Sequence, residues 1–329
     1  MTSKLRVLIT GATGFLGSHV AEILAADGHE IRALVRASSN TRLLEGLGAQ
    51  LARGSFDPAL GLEDAVRGVD AIVHCAGGGK LKTEADLFRQ NTQATCALLD
   101  AARANAPRLR RFVFVSSLSA HGPSPDGVAR LDTSPGAPVS SYGRSKLDAE
   151  TAVLAARDVF PVNILRPPGI YGPRDDRWLP MYRSVRRGLI PLVSRDAVTS
   201  IIHGEDCARA IRDMLVSEPP SGSAYAIEDG RARSWREIGE TIARALDVRA
   251  VAVTVPRPIL NLVARASEAI AERRDTAAFF TRDKMRDAVQ PYWVCSAAAL
   301  TRDTGWRPQI EFERGVRSTA DWYRREGLL

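Results

Sequence analysis

The sequence predicts an α/β fold built on a doubly wound parallel sheet, followed by a smaller, irregular C-terminal region. Three observations predict it. Short apolar runs alternate with helical patterns through the first half, which implies crossover units and a parallel sheet. The runs themselves are almost continuously apolar, as strands covered on both faces are. After Arg166 the texture changes: Pro167, Pro168, Gly169, Gly172 and Pro173 crowd together and interrupt regular structure.

In chain order, Arg6–Thr10 reads as the first strand and Ser18–Asp27 as the first helix, ended near Gly28. Ile31–Val35 and Gln50–Arg53 are strands, Leu62–Arg67 a short helix, and Ala71–His74 a fourth strand. Glu84–Ala104 reads as one long helix, Arg111–Val115 as a strand, Ser141–Ala156 as a helix and Val162–Leu165 as a strand. Beyond the proline-glycine segment, Trp178–Arg187 and Glu205–Val216 read as helices, and Thr199–His203 and Ser223–Ile227 as strands. Ser234 and Glu237 have the spacing of a capping box for a helix over Trp235–Leu246. Val251–Val255 is a strand, and Pro258–Ala271 and Glu311–Arg325 are helices. The apolar face of Pro258–Ala271, with Arg265, Glu268 and Glu272 opposite, is expected to pack on the core rather than on a membrane surface, with covering an apolar substrate as a second use.

Composition narrows the function. The chain has 329 residues, 45% of them hydrophobic, and a net charge of +7. That is an ordinary globular mix, long enough for two domains and a large core. The positive charge suits an anionic ligand but is too diffuse to argue for nucleic acid. Cys75, Cys96, Cys207 and Cys295 are far apart, so free buried thiols are expected. No long apolar leader or membrane-length apolar run occurs, so a cytoplasmic protein is expected. The five histidines lack ligand spacing, so no metal is expected. His121 reads as a structural loop histidine.

The first strand runs into Gly11-Ala12-Thr13-Gly14-Phe15-Leu16-Gly17 and then a helix. A strand, a glycine turn and a helix N-terminus form an anion site suited to a pyrophosphate. The second strand ends in Val35-Arg36 with no acid to accept a ribose 2′-hydroxyl. Arg36 is instead suited to a 2′-phosphate, so NADP(H) is the preferred cofactor and NAD(H) remains admissible.

Tyr142-Gly-Arg-Ser-Lys146 stands at the start of a helix. Positions i and i+4 share a face about 6 Å apart. An ammonium there is expected to lower the phenol toward working pH, so that Tyr142 exchanges a proton with a carbonyl or alcohol oxygen. Ser116, Ser117 and Ser119 supply hydroxyls at the end of the preceding strand, where open α/β sheets bind ligands.

With these residues, the chain resembles the extended short-chain dehydrogenase/reductase superfamily, also described as the NAD-dependent epimerase/dehydratase superfamily, over nearly its whole length. The motifs are Gly11-x-x-Gly14-x-x-Gly17, His74-Cys75-Ala76-Gly77, Asn91, Ser116-Ser117, Tyr142-x-x-x-Lys146, Leu165-Arg-Pro-Pro-Gly-Ile-Tyr-Gly-Pro173, Ile202–Ala208, Thr304–Pro308 and the helix with Trp322-Tyr323. The resemblance implies a Rossmann-type dinucleotide-binding domain over 1–166, with a return at about 199–227, and a mainly substrate-binding region over 167–329. It implies Ser117, Tyr142 and Lys146 as the catalytic set. It places Gly11, Thr13, Gly14, Phe15, Leu16, Gly17, Arg36, Ser55, Phe56, Cys75, Ala76, Gly77, Pro167, Gly169 and Ile170 at the cofactor, together with Tyr142 and Lys146.

The departures are informative. Gly54-Ser55-Phe56 lacks the acid many members use on adenine. Leu118-Ser119 stands where sugar-nucleotide dehydratases carry Asp-Glu, and Gly169 where epimerases commonly carry Asn. The closest subgroups are 3β-hydroxysteroid-dehydrogenase-like and dihydroflavonol-reductase-like. The expected activity is NADP(H)-dependent hydride transfer between the nicotinamide and a ketone or secondary alcohol of a small apolar, acyl or steroid-like molecule. A nucleotide-sugar epimerase with bound NAD is the alternative, and a non-catalytic dinucleotide sensor the third reading. The resemblance also implies a homodimer through the helices holding Asn91 and Tyr142.

Overall fold

The computed structural model describes residues 4–78, 83–273, 276 and 281–329. The first half runs β1 (Arg6–Thr10), α1 (Phe15–Ala26), β2 (Glu30–Val35), α2 (Arg42–Gly46), β3 (Gln50–Arg53), α3 (Leu62–Val66) and β4 (Ala71–His74). It continues through α4 (Glu84–Phe88), α5 (Ala94–Asn105), β5 (Arg111–Val115), α6 (Leu118–His121), α7 (Ser141–Leu154) and β6 (Val162–Arg166). The second half runs β7 (Gly169–Tyr171), α8 (Leu179–Arg186), β8 (Leu189–Leu192), β9 (Val198–Thr199), β10 (Ile201–His203), α9 (Gly204–Val216) and β11 (Ser223–Ala226). It ends with β12 (Arg233–Ser234), α10 (Trp235–Leu246), β13 (Val251–Thr254), α11 (Arg257–Arg273), α12 (Arg282–Ala288), β14 (Tyr292–Trp293), α13 (Ala298–Thr304) and α14 (Phe312–Arg325).

Seven parallel strands form the main sheet in the order β11-β6-β5-β4-β1-β2-β3. This is a Rossmann-type doubly wound sheet. The order reverses between β1 and β4, which opens a crevice at their C-terminal ends. Thr10 and His74 sit opposite each other at that point.

The strands are apolar throughout because both faces are covered. Val7, Ile9, Ile31 and Ala33 face α1 and α9, while Leu8, Ile72, Phe112 and Phe114 face α3, α5 and α7. Helix α9 and strand β11 come from the second half of the chain yet pack on α1 and pair with β6. A third core joins α8, α10 and α14 through Tyr182, Ile190, Ile238, Ile242, Val316 and Tyr323. It carries the second half independently of the sheet.

Several elements depart from the sequence reading. Helix α1 begins at Phe15 rather than Ser18, because Gly14 is already its N-cap. The expected helix Glu84–Ala104 is broken by a π turn at Arg89–Gln93. The strand expected over Thr199–His203 changes partner at Ser200: Thr199 pairs with Arg233 and Trp293, whereas Ile201 pairs with Gly169. The proline-glycine segment still holds the strand Gly169–Tyr171. Ser234 does cap α10 by accepting from the Glu237 N–H at 3.1 Å, but the Glu237 carboxylate is taken by Arg231. All four cysteines are free, with Cys207 and Cys295 buried and Cys75 and Cys96 half-buried.

The largest departure is α11. Its apolar face does not join the core: only Ala264 and Ala271 are buried, while Ile259, Leu262, Val263 and Ile270 are exposed. The reason is rotational. The helix meets the body along Leu260, Ala264, Ser267 and Ala271, and Ile259, Leu262, Val263 and Ile270 project from the opposite arc. Among the described residues, no helix is long and apolar enough to cross a membrane.

Candidate active site

Strand β1 turns through Gly11 into α1. Gly11 has φ +71°, and a Cβ there would lie 2.7 Å from the Ala76 nitrogen. A Cβ on Gly17 would lie 2.2 Å from the Gly11 carbonyl oxygen. Neither position admits a side chain. No side chain caps the first turn of α1, and no acid lies in it, so its N–H groups and dipole are open to an anion. A depression of about 400 Å³ opens beside this turn, lined by Ala12, Thr13, Gly14, Phe15, Ser18 and, across it, Asn40 and Arg42. Arg174 stands at its rim. Its backbone is held at φ +77°, and its side chain by His19 Nδ1 at 2.6 Å and Glu22 Oε1 at 2.8 Å. Burial, helped by Arg174, pushes His19 down to about 4, so it is neutral. A tight cradle, an uncapped helix start and cationic walls fit a dinucleotide.

The expected cofactor residues fare differently. Arg36 is exposed, its N–H donates to Ser39 Oγ at 3.2 Å, and it does not line the depression. Asn40 and Arg42 do, and the sequence reading missed them because they follow the strand in what reads as a loop. Leu16 packs against the core. The Phe15 ring lies edge-on to His19 and 5.4 Å under the Arg177 guanidinium. Ser55 Oγ accepts from the Asp57 N–H, and Phe56 packs edge-on against His74 at 5.5 Å. The Pro167 carbonyl accepts from the Leu118 N–H at 2.9 Å, and the Ile170 carbonyl accepts from Trp178 Nε1 at 2.9 Å. Among the described residues no cluster of metal-ligating side chains occurs.

At the crevice, the hydrogen bonds dictate one another. Thr95 Oγ1 donates to the Asn91 carbonyl at 2.5 Å, so it accepts from His74 Nε2 at 3.0 Å. His74 Nδ1 then accepts from Thr10 Oγ1 at 2.6 Å, and Thr10 Oγ1 accepts from the Ala76 N–H. Burial pushes His74 down to about 3, as a neutral ring in this chain requires. The network fixes the backbone of Cys75-Ala76-Gly77 against Gly11. Burial holds the Cys75 thiol protonated, pushed up to about 12.

The same loop covers the Tyr142-Lys146 pair. A Cβ on Gly77 would lie 3.2 Å from Lys146 Nζ, and one on Gly78 would lie 3.6 Å from the Tyr142 hydroxyl. The Gly78 N–H donates to Asn91 Oδ1 at 2.7 Å, and Asn91 Nδ2 donates to Ser145 Oγ at 2.8 Å, one turn along α7. Asn91 lies in the π turn, whose widened ring turns it inward, buried. The Ser117 side chain lies beside the Tyr142 hydroxyl and favours its ionised form. Ser116 is committed elsewhere: its Oγ donates to Glu150 Oε1 at 2.5 Å. Glu150 is held by Arg166 through Nη2 at 2.7 Å and Nε at 3.0 Å, both residues buried.

The expected control of the phenol by Lys146 gives way to burial. Burial raises Tyr142 above its usual value, the Ser117 side chain and Arg177 oppose the rise, and Asp287 adds to it. Lys146 Nζ donates instead to the Val115 carbonyl at 3.0 Å and lies 4.9 Å over the Phe114 ring. Burial lowers the amine to about 8. His121 is buried and held neutral, pushed down to about 4 by burial and then by Arg166 and Arg130.

Two carboxyls from α12, missed in sequence, complete the surroundings. Asp283 Oδ1 accepts from the Ser141 N–H at 2.8 Å. Asp287 Oδ2 accepts from Ser140 Oγ at 3.1 Å and Ser119 Oγ at 3.3 Å. They sit at the positive end of α7, where acids are favoured. Burial raises Asp287 to about 6. The signal was present: acids at i and i+4 on an otherwise basic helix.

Comparison with known proteins decides the family. Residues 7–227 match the model of the NAD dependent epimerase/dehydratase family. The chain belongs to this family. It is 30% identical to a ceramide reductase of Caulobacter vibrioides, over 98% of this chain and 96% of that protein. It is 28% identical to a 2-alkyl-3-oxoalkanoate reductase of Stenotrophomonas maltophilia, over 95% and 98%. Its fold is similar to the crystal structure of gox2253, with a TM-score of 0.81, 26% identity and coverage of 98% and 99%. The chain is an NAD(P)-dependent oxidoreductase of the extended short-chain type, and its substrate is a small molecule.

Proposed function

We propose that the protein reduces a ketone on an apolar, acyl or steroid-like small molecule, with NADPH as the preferred donor. The observation that carries this reading is the half-buried Tyr142, whose hydroxyl lies beside Ser117 and under Gly78. A phenol raised by burial is protonated at neutral pH, so it serves as an acid toward a carbonyl oxygen. The bound nicotinamide supplies the hydride. Ser117 and Tyr142 hold the carbonyl oxygen, and Tyr142 delivers the proton. Lys146 is an ammonium below about pH 8 and holds a ribose hydroxyl of the cofactor. Relatives named ceramide reductase and 2-alkyl-3-oxoalkanoate reductase support the substrate class.

Gly169 argues against a nucleotide sugar. A Cβ there would lie 3.4 Å from Trp178, whose ring stacks on Trp235 at 5.7 Å. The Cβ distance is ordinary van der Waals contact at an exposed position, so an Asn would fit there, and it is the absence of that Asn from the sequence that argues against a nucleotide sugar. For the 2′-phosphate, Arg42 on the wall of the depression is the primary cation and Arg36 the secondary one. The test is a panel of water-soluble and lipid ketones, followed at the nicotinamide absorbance band. Net NADPH consumption that Tyr142→Phe abolishes supports the reading. Substrate interconversion without net cofactor turnover would instead make the protein an epimerase.

A further inference from the structure

Apolar exposure is concentrated in one part of the molecule. Of the eleven large hydrophobic residues exposed among the described residues, seven lie on β8, β13 and α11: Leu189, Val251, Val253, Ile259, Leu262, Val263 and Ile270. Val251 sits directly opposite Leu189 in the β8–β13 pair, and β13 leads straight into α11. Clustered exposure of this kind marks an interaction surface, whereas scattered single residues do not.

Helix α11 presents Ile259, Leu262, Val263 and Ile270 outward and meets the body with Leu260 and the small residues Ala264, Ser267 and Ala271. Residues 259, 262, 263, 266 and 270 form one continuous arc at helical spacing, and all are exposed. Arg257, Arg265 and Arg273 flank it and are exposed. Of the two acids on α11, Glu272 is exposed on the same side as Arg265, and the other is engaged by α12. Glu268 is taken by Arg282, through its N–H and its Nε at 2.8 Å each. Asp283 and Asp287 cap the catalytic helix. The outward side is therefore apolar at its centre with a net positive rim, three arginines against the single exposed acid Glu272.

We propose that α11 lies in the interface of an anionic lipid bilayer, so that the protein draws its ketone from the membrane. The inference rests on the reductase reading for its purpose but not for its geometry. An outward apolar arc with flanking arginines is the pattern of a helix lying in the plane of a membrane surface. A second copy of the chain fits less well. A two-fold contact through α11 would bring both sets of arginines together, and like charges facing each other across an interface are costly. An anionic surface neutralises the same arginines. Helix α12 links this surface to chemistry: it packs on α11 and holds Ser119, Ser140 and Ser141 beside Tyr142.

The test is vesicle flotation with the full chain. Phosphatidylglycerol–phosphatidylethanolamine vesicles should carry wild type upward and pure phosphatidylcholine vesicles should carry much less. The double variant Leu262→Glu/Val263→Glu changes only exposed side chains, so its circular dichroism should match wild type. It should lose about tenfold or more of its vesicle binding. It should keep wild-type turnover of a water-soluble ketone and lose turnover of a vesicle-embedded one. Failure of wild type to float, or equal flotation of the variant, overturns the proposal. So does light scattering that shows a wild-type dimer turned monomer by the variant, without vesicle binding. If neither ketone is reduced but flotation behaves as expected, the reductase reading fails and the membrane surface stands.

Discussion

Helix α7 buries Ser141, Ser145, Lys146 and Glu150, while helix α11 leaves Ile259, Leu262, Val263 and Ile270 in water. Each inverts the usual sorting of side chains, and the inversions have different costs. On α7 every buried polar group has a partner: Asn91 for Ser145, the Val115 carbonyl for Lys146, Arg166 and Ser116 for Glu150. The desolvation of these groups is offset inside the fold. On α11 no such compensation exists within the described residues. The lesson is that internal polarity is justified by partners already present, whereas outward apolarity points to a partner outside the chain.

The sharpest way to break this contrast is to remove what α7 is arranged to present. Tyr142→Phe should lower ketone turnover by about 10²–10⁴-fold with little loss of stability. Normal turnover in stopped assays would mean that another group delivers the proton. Next, Glu150→Ala leaves Arg166 buried and unpaired, and urea titration should show a loss of about 3–5 kcal/mol. A loss below about 1 kcal/mol would show that the pair does not support the buried polarity of α7.

Lys146 gives a pH-dependent version. Burial lowers its amine from 10.5 to about 8, so as pH falls between those values the unfolded chain takes up the proton before the folded one. Stability is therefore lost as pH falls through that window. Lys146→Met should stabilise the protein at pH 7, by on the order of 1–3 kcal/mol, and much less at pH 10.5. Thermal melts at the two pH values check the sign. The cofactor wall comes next: Arg42→Asp should weaken NADPH binding by about tenfold, and more than Arg36→Asp does, in fluorescence titrations against NADH. Equal effects of both variants would return Arg36 to the primary role. The smallest effect belongs to α11: Leu262→Ser should move the urea midpoint by less than about 0.5 kcal/mol. A core-sized loss would place that face against the body.

The sheet was legible in sequence because its strands are nearly all apolar and its crossovers regular. The glycine turn was legible because Gly11 and Gly17 are positions where no Cβ fits. That Tyr142 and Lys146 share a helix face, with serine hydroxyls at a strand end, followed from spacing; the choice of Ser117 among Ser116, Ser117 and Ser119 came from the family resemblance. What was hidden depends on distant chain segments meeting. Asp287 reaches Ser119 across 168 residues, and Arg166 reaches Glu150 from the end of a strand read in sequence only as far as Leu165. The α11 face was misread because periodicity reports that a helix has two sides and does not report which one turns inward.

The π turn at Arg89–Gln93 carries a consequence for how this chain tolerates change. It holds one residue more than ordinary helical winding would. Deleting one of those five positions would let the coil close into an ordinary α turn, leaving the helix from Ala94 onward close to its present orientation. The bulge that turns Asn91 toward Gly78 would be lost, although the helix itself would be more regular. Here a shorter chain would be a better helix and a worse enzyme.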